Sequence, residues 1–226
     1  MIMKKGKMTA VVAVRAGSQR VKNKNFRPFA DTNLLELKLK ILIKVKNLDE
    51  IIVNSDSDIM LEIANKYNVK TQKRDEFFAS SNATNSDFHK HIAEVTNSDF
   101  IFLAPVCSPF IGVKRHQEAI NNFMMSEVDS LTSCELVKGH LWLDGKPINY
   151  SLDNVPNSQD LPEIKKLNYG ISIIKRQTMI ERKGLVGLKP EFVVLNEIES
   201  TDIDEMETFN IAEILYNNLK LDLYGN

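Results

Sequence analysis

The chain has 226 residues, of which 43% are hydrophobic and 26% are charged, and its formal net charge is -1. This composition is ordinary for a soluble globular protein, and a single α/β domain over residues 1–226 is expected. A net charge near zero argues against nucleic acid or an anionic membrane as the main partner, because both usually require a basic excess.

Neither targeting nor disulfide bonding is indicated by the sequence. No apolar run reaches the roughly 18 residues that a membrane span requires, and the short run after the N-terminal lysines is too short for the core of a signal peptide. Cys107 and Cys134 form neither a CxxC pair nor a disulfide framework. A reducing cytoplasm is therefore the expected compartment.

Short β-branched runs alternate along the chain with longer amphipathic ones. The predicted strands are residues 10–14, 51–54, 69–72, 100–104, 130–133, 170–174 and 192–195. The predicted helices are residues 34–45, 59–67, 87–96, 114–125 and 204–219. This alternation predicts a three-layer α/β/α fold, in which a mostly parallel sheet carries helices on its faces.

A basic loop follows the first predicted strand directly. Residues 15–25 contain four cations and one glycine, namely Arg15, Arg20, Lys22, Lys24 and Gly17. With a single glycine, neither the P-loop pattern nor the glycine-rich dinucleotide pattern can be written, so the cations must supply charge that such loops take partly from backbone amides. We interpret the loop as a binding site for a nucleotide triphosphate, and a solvated basic turn is the alternative.

Acidic side chains stand at two junctions between a strand and a helix. For Asp56, after the second predicted strand, capping of the following helix is the favoured interpretation. Asp202 and Asp204 precede the last helix, and residues two apart in an extended segment point the same way. Two such carboxylates suit Mg²⁺, which takes the rest of its ligands from water and phosphates, and capping of the last helix is the alternative.

Two further segments carry no regular pattern. Residues 74–86 are rich in small and amide side chains, which either read the edge of a base or form a turn with a helix cap. Residues 137–166 are interrupted by glycine and proline, and a segment of this kind inside a compact domain is more often functional. The segment could form a lid, a β-hairpin arm or an exchange element in a dimer. We favour an arm that forms a homodimer, because the segment carries apolar residues that could be buried, namely Leu141, Trp142, Leu143, Ile148 and Tyr150.

These motifs resemble the acylneuraminate cytidylyltransferases and the related 3-deoxy-manno-octulosonate cytidylyltransferases. The family pattern R-x-G-S-K-x-x-x-x-K-N is matched by Arg15, Gly17, Ser18, Lys24 and Asn25, whereas Gln19 replaces the first lysine and Arg20 stands beside it. The family pattern S-I-D-I-D is matched by Ser200-Thr201-Asp202-Ile203-Asp204. Weaker matches lie at residues 51–56, 74–81, 107–109 and 159–162.

The resemblance covers residues 9–216. It implies a glycosyltransferase-A-like fold, a homodimer, dependence on Mg²⁺, and transfer of CMP from CTP to a sugar acid with release of pyrophosphate, which makes a donor for surface glycan synthesis. Lys24 and Arg15 are then the catalytic residues, and Asp202 and Asp204 hold the metal. The implied nucleotide-binding residues are Arg15, Gly17, Ser18, Arg20 and Lys24 at the phosphates, Asn25 at the ribose, and Arg74, Ala83 and Asn85 around cytosine.

The chain departs from the family mainly where the family binds its acceptor. The family has a T-S-P motif where this chain has Cys107-Ser108-Pro109, and the glutamine and arginine that bracket the motif are replaced by Pro105 or Val106 and by Ile111. Ser158 replaces the family's arginine before Gln159, and Tyr169-Gly170 replaces the family's N-G near the sugar site. Another nonulosonic acid, a phosphonate or another small anionic acceptor therefore remains open. No general base is evident among the histidines, which are His89, His91, His116 and His140.

Overall fold

Residues 5–219 and 222–225 are described by a computed structural model. Within these residues, seven strands form one sheet in the order β3-β2-β1-β4-β8-β5-β9. The strands are β1 (Met8–Ala13), β2 (Glu50–Ser55), β3 (Lys70–Lys73), β4 (Phe100–Leu103), β5 (Ser130–Val137), β6 (Trp142–Leu143), β7 (Lys146–Pro147), β8 (Ile164–Lys175) and β9 (Pro190–Val194). Because β8 alone runs antiparallel to its neighbours in this sheet, the predicted mostly parallel sheet is confirmed.

Helices cover both faces of the sheet, as predicted. They are α1 (Leu34–Leu42), α2 (Asp58–Lys66), α3 (Glu76–Ala79), α4 (Asn85–Val95), α5 (Val113–Met125), α6 (Arg176–Arg182) and α7 (Met206–Leu219), with a 3-10 turn at Ser158–Asp160. Successive side chains of a strand point to opposite faces. Accordingly Val12 packs in the core that contains residues of α1, α2, α5 and α7, whereas Val11 packs with residues of α4 and α6.

The two strands that flank the predicted arm are longer than the sequence pattern indicated. β5 extends to Val137 and β8 begins at Ile164, so the irregular segment narrows from residues 137–166 to residues 138–163. The added residues are partly polar and exposed, and they stay paired through the backbone from Cys134 to Val137. Hydrophobic periodicity misses such a ladder because no buried face extends along it.

The irregular segment contains the hairpin formed by β6 and β7. Several of its apolar side chains are exposed, namely Trp142, Leu143, Ile148, Leu152 and Val155. The hairpin is therefore a projecting element with unburied apolar surface, and its role as a dimerisation arm stays a prediction. None of the described helices is both long and apolar enough to cross a bilayer.

Candidate active site

A cavity of about 690 Å³ lies where the carboxyl ends of β1 and β4 meet. Its wall comes from the loop after β1, the residues after α3 and the loop after β4, an arrangement typical of ligand sites in open α/β sheets. The residues predicted at the phosphates, which are Arg15, Gly17, Ser18, Arg20 and Lys24, all line this cavity, and so does Asn25, which is predicted at the ribose. Lys22 is different, because it is exposed and does not line the cavity, so its expected contribution of charge there stays a prediction.

The loop after β1 is fixed by two hydrogen bonds to its backbone. The amide of Ala16 donates to Oδ1 of Asp56 (2.9 Å), and Nδ2 of the buried Asn25 donates to the carbonyl of Arg15 (3.1 Å). The predicted capping role of Asp56 is wrong, because Ser57 is the N-cap residue of α2. Since β1 and β2 are neighbours, a carboxylate at the end of β2 reaches the loop that follows β1.

Gly17 allows this loop to turn. Its φ is +73°, in the left-handed region that glycine enters without strain. Arg15 is the first residue of the same loop. It donates from Nη1 to the carbonyl of Ala79 (2.9 Å) and so joins the loop to the end of α3. The loop therefore spans the space between two walls of the cavity.

Two cations of the loop converge on the segment before α7. Nζ of Lys24 donates to the carbonyl of Ile203 (2.6 Å) and lies 3.4 Å from Oδ1 of Asp204. Nη2 of Arg20 lies 3.1 Å from the same oxygen of Asp204. A hydrogen bond to Glu205 and the charge of Asp204 raise the pKa of Arg20 further above its usual value. The structure therefore brings together the loop and the acidic pair, which lie far apart in the sequence.

Asp202 and Asp204 flank the fully buried Ile203. Burial, together with the nearby carboxylate of Asp202, raises the pKa of the Cys107 thiol to about 12. Cys107 and Asp204 line the cavity, whereas Asp202 does not line it and lies behind its wall, close to Cys107.

These carboxylates fit the predicted Mg²⁺ ion in chemistry and in exposure. Asp202 is exposed and the side chain of Asp204 is 45% exposed, which leaves room for water and phosphate oxygens. Among the described residues, no group of three or more His, Cys, Asp or Glu side chains could hold a metal. An ion at this pair would therefore take its remaining ligands from substrate and water.

A second cavity, of about 390 Å³, adjoins the first. The two cavities share the wall residues Ala13, Arg15, Ser80 and Ser81. The predicted base-site residues Arg74, Ala83 and Asn85 all line the second cavity. The structure thus places the predicted phosphate and base residues around two adjoining cavities, and Arg15 lines both of them.

Arg74 forms a rigid part of this second wall. It is 5% exposed, and it donates from Nε to Oδ1 of Asn54 (2.6 Å) and from Nη2 to the carbonyl of Asn54 (2.8 Å). Its guanidinium also lies over the ring of Phe88, 4.7 Å from the centroid. Burial lowers the pKa of Arg74 to about 10.

The cap predicted as an alternative for residues 74–86 is present as well. Thr84 and Asp87 form a capping box at the start of α4, and Asn85 is the first residue of that helix. Capping and contact with the cavity are therefore combined in one segment, because the cap fixes the turn that presents Asn85.

Sequence reasoning missed one charged residue beside the site. Lys38, in α1, is 1% exposed, and its Nζ donates to the carbonyl of Ser108 (3.0 Å), next to the cavity residue Cys107. Burial lowers its pKa to about 8. The helical spacing could have indicated the burial of Lys38, because Lys38 shares a helical face with Leu34, Leu35 and Leu42, all of them buried.

Comparison with known proteins gives matches over most of the chain. The cytidylyltransferase family model matches residues 9–138. The chain is 25% identical over 230 residues to the post-translational flagellin modification protein B of Campylobacter coli, covering 93% of this chain and 95% of that protein. It is 24% identical to the N-acylneuraminate cytidylyltransferase of Escherichia coli, covering 97% of this chain but spanning only 55% of that protein.

Solved structures confirm the fold. A CMP:2-keto-3-deoxy-manno-octonic acid synthetase complexed with CTP superposes with a TM-score of 0.69 at 12% identity, covering 94% of this chain and 99% of that one. The 4-diphosphocytidyl-2C-methyl-D-erythritol synthase of Anaerococcus prevotii gives 0.70 at 15% identity, covering 94% and 96%. With a family model that matches more than half of its length, the chain belongs to the cytidylyltransferase family.

Proposed function

We propose that this cytidylyltransferase transfers CMP from CTP to a hydroxyl group of a sugar acid, releases pyrophosphate, and so makes an activated donor for surface glycan synthesis. The observation that carries the proposal is the pair of adjoining cavities, one lined by Arg15, Arg20 and Lys24 and the other by Arg74 and Asn85. The names of the Escherichia coli relative and of the octonic acid synthetase support a sugar acid as the acceptor class.

CTP would lie across both cavities. The base would occupy the space beside Arg74, Ala83 and Asn85, where amide and backbone groups can bond to its edge. The triphosphate would lie along the loop after β1, with Lys24 nearest to the α-phosphate. The predicted ribose contact of Asn25 stays part of the proposal, although Nδ2 of Asn25 already bonds to the loop backbone.

In the reaction, the acceptor oxygen attacks the α-phosphorus in line, and the bond from the α-phosphorus to the bridging oxygen of the β-phosphate breaks. Lys24 and Arg15 would stabilise the negative charge that builds on the phosphoryl oxygens. Mg²⁺, when held by Asp202 and Asp204, would supply further charge neutralisation. No histidine in the described part of the chain lines either cavity, so the group that takes the hydroxyl proton is left unassigned.

The proposed enzyme is a homodimer, and the hairpin is its arm. The supporting observation is the exposed apolar surface at Trp142, Leu143 and Ile148, which are 52%, 62% and 56% exposed. Large apolar side chains that are exposed together on one element mark an interaction site in many proteins. A second copy of the chain is the occupant that we propose.

The decisive experiment is pyrophosphate release from each of the four NTPs with Mg²⁺, against nonulosonic acids, 3-deoxy-manno-octulosonate and aminoethylphosphonate. CTP-selective release with one sugar acid would support the proposal and name the acceptor. Release with the phosphonate alone would replace the sugar acid by that acceptor class. Release with another NTP, or no release with any acid, would contradict the proposal.

A further inference from the structure

Lys38 carries a buried charge behind the loop that follows β4. It is 1% exposed, and its Nζ donates to the carbonyl of Ser108 (3.0 Å), a residue that is itself 4% exposed. The acceptor of this bond is a neutral oxygen atom and not a carboxylate. Removing an ammonium group from water costs free energy, which one hydrogen bond to a neutral group offsets only in part.

Packing alone does not account for a lysine at this position. Methionine has nearly the same length and would fill the same space without desolvating a charge. Replacement of a buried charge by an apolar side chain of similar volume is often neutral or even stabilising. The other buried side chains of α1 are all leucine or isoleucine. A charged residue among them therefore indicates a role other than filling the core.

The bond from Lys38 fixes a loop that reaches the acidic segment, residues 202–204. Ser108 follows Cys107, and Cys107 lines the main cavity. The carbonyl of Cys107 accepts a hydrogen bond from the amide of Ile203 (2.9 Å). Two adjacent carbonyl groups of the loop are therefore bonded to different elements, one to the side chain of Lys38 and the other to the backbone of the acidic segment.

Ile203 anchors the acidic segment between its two carboxylates. Its amide belongs to the peptide group that joins it to Asp202, and this amide donates to the loop. Its carbonyl belongs to the peptide group that joins it to Asp204, and this carbonyl accepts from Nζ of Lys24 (2.6 Å). The side chain of Ile203 is fully buried. A shift of the loop after β4 would therefore move Asp202 and Asp204 together.

Mg²⁺ is sensitive to a shift of this kind. The ion demands near-ideal octahedral geometry, with ligand oxygens at about 2.0–2.1 Å. Groups that orient metal ligands without touching the metal are therefore important, and their loss typically lowers metal affinity or activity by about 10- to 100-fold. Lys38 has the contacts of such a group, because it is joined to the acidic segment through the loop.

We propose that Lys38 is a positioning residue for the Mg²⁺ site, an inference that rests on the proposed function. Its hydrogen bond to Ser108 holds the loop after β4, and the loop holds Asp202 and Asp204 at the separation that the ion requires. Lys38 lines neither cavity, so it acts through the backbone and not by contact with CTP or the acceptor. Its effect is on the metal rather than on the nucleotide.

The test is calorimetry of CTP binding in the absence of an acceptor, once with Mg²⁺ and once with a chelator. We define the magnesium gain as the ratio of the two affinities. Lys38→Met removes the donor and should lower the magnesium gain by at least about tenfold, while the CTP affinity in chelator stays within about twofold of the wild type. A role in packing alone would leave the magnesium gain unchanged, since methionine fills the same space.

Lys38→Gln is the second variant, and it keeps the test decisive if Lys38→Met does not fold. Glutamine offers an N–H donor without the charge, and such a bond is weaker than one from an ammonium group. Its magnesium gain should therefore lie between those of the wild type and Lys38→Met. An unchanged magnesium gain in whichever variant folds would overturn the inference.

Leu42→Ala is the matched control. Leu42 is fully buried one turn after Lys38, on the same face of α1. Its truncation leaves a cavity and should lower the melting temperature, whereas the magnesium gain should equal that of the wild type. Equal losses of magnesium gain in Leu42→Ala and Lys38→Met would show that the loss follows from lower stability, and would overturn the inference.

Failure of the proposed function is distinguishable from failure of this inference. Absence of turnover by the wild type with every acid contradicts the function, but the calorimetry requires no acceptor and still decides the role of Lys38. Conversely, the wild type could turn over a sugar acid and bind CTP equally well with Mg²⁺ and with chelator. That result would overturn the inference and leave the CMP transfer standing.

Discussion

Nζ of Lys24 donates a hydrogen bond of 2.6 Å to the carbonyl oxygen of Ile203, a residue 179 positions further along the chain. This contact joins the loop after β1 to the segment that contains the two carboxylates. Because the side chain of Lys24 is only 16% exposed, its charge is screened less by water than that of a surface lysine. In the proposed function, this same lysine would contact the reacting phosphate.

Replacing Lys24 should therefore remove most of the activity. Lys24→Met is expected to lower kcat for pyrophosphate release by at least about a hundredfold, the usual scale for loss of a preorganised electrostatic contact. Lys22→Met is the matched control, because Lys22 belongs to the same loop but lies outside the cavity wall. Equal losses in the two variants would show that only the charge of the loop matters.

Asp202 and Asp204 should govern the metal requirement. Chelation of Mg²⁺ is expected to abolish turnover, and Asp202→Asn and Asp204→Asn should each lower kcat by at least about a hundredfold and raise the Mg²⁺ concentration needed for half-maximal rate. Glu207→Gln, in the first turn of α7, is the control and should behave as the wild type. Full activity of either aspartate variant would show that the two carboxylates do not hold the metal together.

Asp56 should act on CTP binding through the loop. Asp56→Ala removes the carboxylate that accepts from Ala16 and should raise the KM for CTP by about tenfold, the scale of a hydrogen bond to a charged group. The control is Asp58→Ala, since Asp58 belongs to the first turn of α2 and is exposed. A capping role would instead lower the melting temperature and leave the KM for CTP unchanged.

Lys38 should give the stability of the protein a pH dependence. Its pKa is 10.5 in the unfolded chain and about 8 in the fold. Below pH 8 both states hold the proton, so the wild type bears the full cost of a buried charge. Between pH 8 and 10.5 the unfolded chain binds more protons, so the free energy of unfolding of the wild type rises relative to that of Lys38→Met.

The difference in free energy of unfolding between the wild type and Lys38→Met should change by up to about 3 kcal/mol between pH 8 and 10.5. Denaturant unfolding of the wild type and Lys38→Met at several pH values measures it, and the comparison cancels the groups that titrate in both proteins. Lys38→Met loses the bond to Ser108, which shifts the difference at every pH without changing its slope. A difference that does not vary with pH would contradict the burial of a charged lysine.

The hairpin should control oligomeric state. Leu143→Asp combined with Ile148→Asp places charge on the exposed apolar surface, and light scattering should then report a monomer where the wild type is a dimer. Deletion of residues 138–162 should have the same effect. Leu188→Asp is the control, because Leu188 is 79% exposed but lies outside the hairpin. If the protein remains a dimer after both changes, the hairpin is not the dimerisation arm.

Several features of this protein were readable from short stretches of sequence. The basic loop between Arg15 and Asn25, the pair Asp202 and Asp204, and the alternation of strands and helices depend on neighbouring residues, so their patterns appear in the chain itself. Element boundaries were less accurate. The exposed half of the β5–β8 ladder has no buried face and was missed for that reason.

The tertiary structure alone decided which of these features meet. The amide of Ala16 can donate to Asp56 because β2 lies beside β1. Tyr169 has a φ of 54° where β8 shifts register against β5, and the hydrogen bond between Ser133 and Asn168 holds the backbone there. Each of these contacts joins separate elements, so it depends on strand order and register, which local patterns do not encode. The sequence thus determined the chemistry that is present, and the fold determined which groups act together, because distance in space is set by packing.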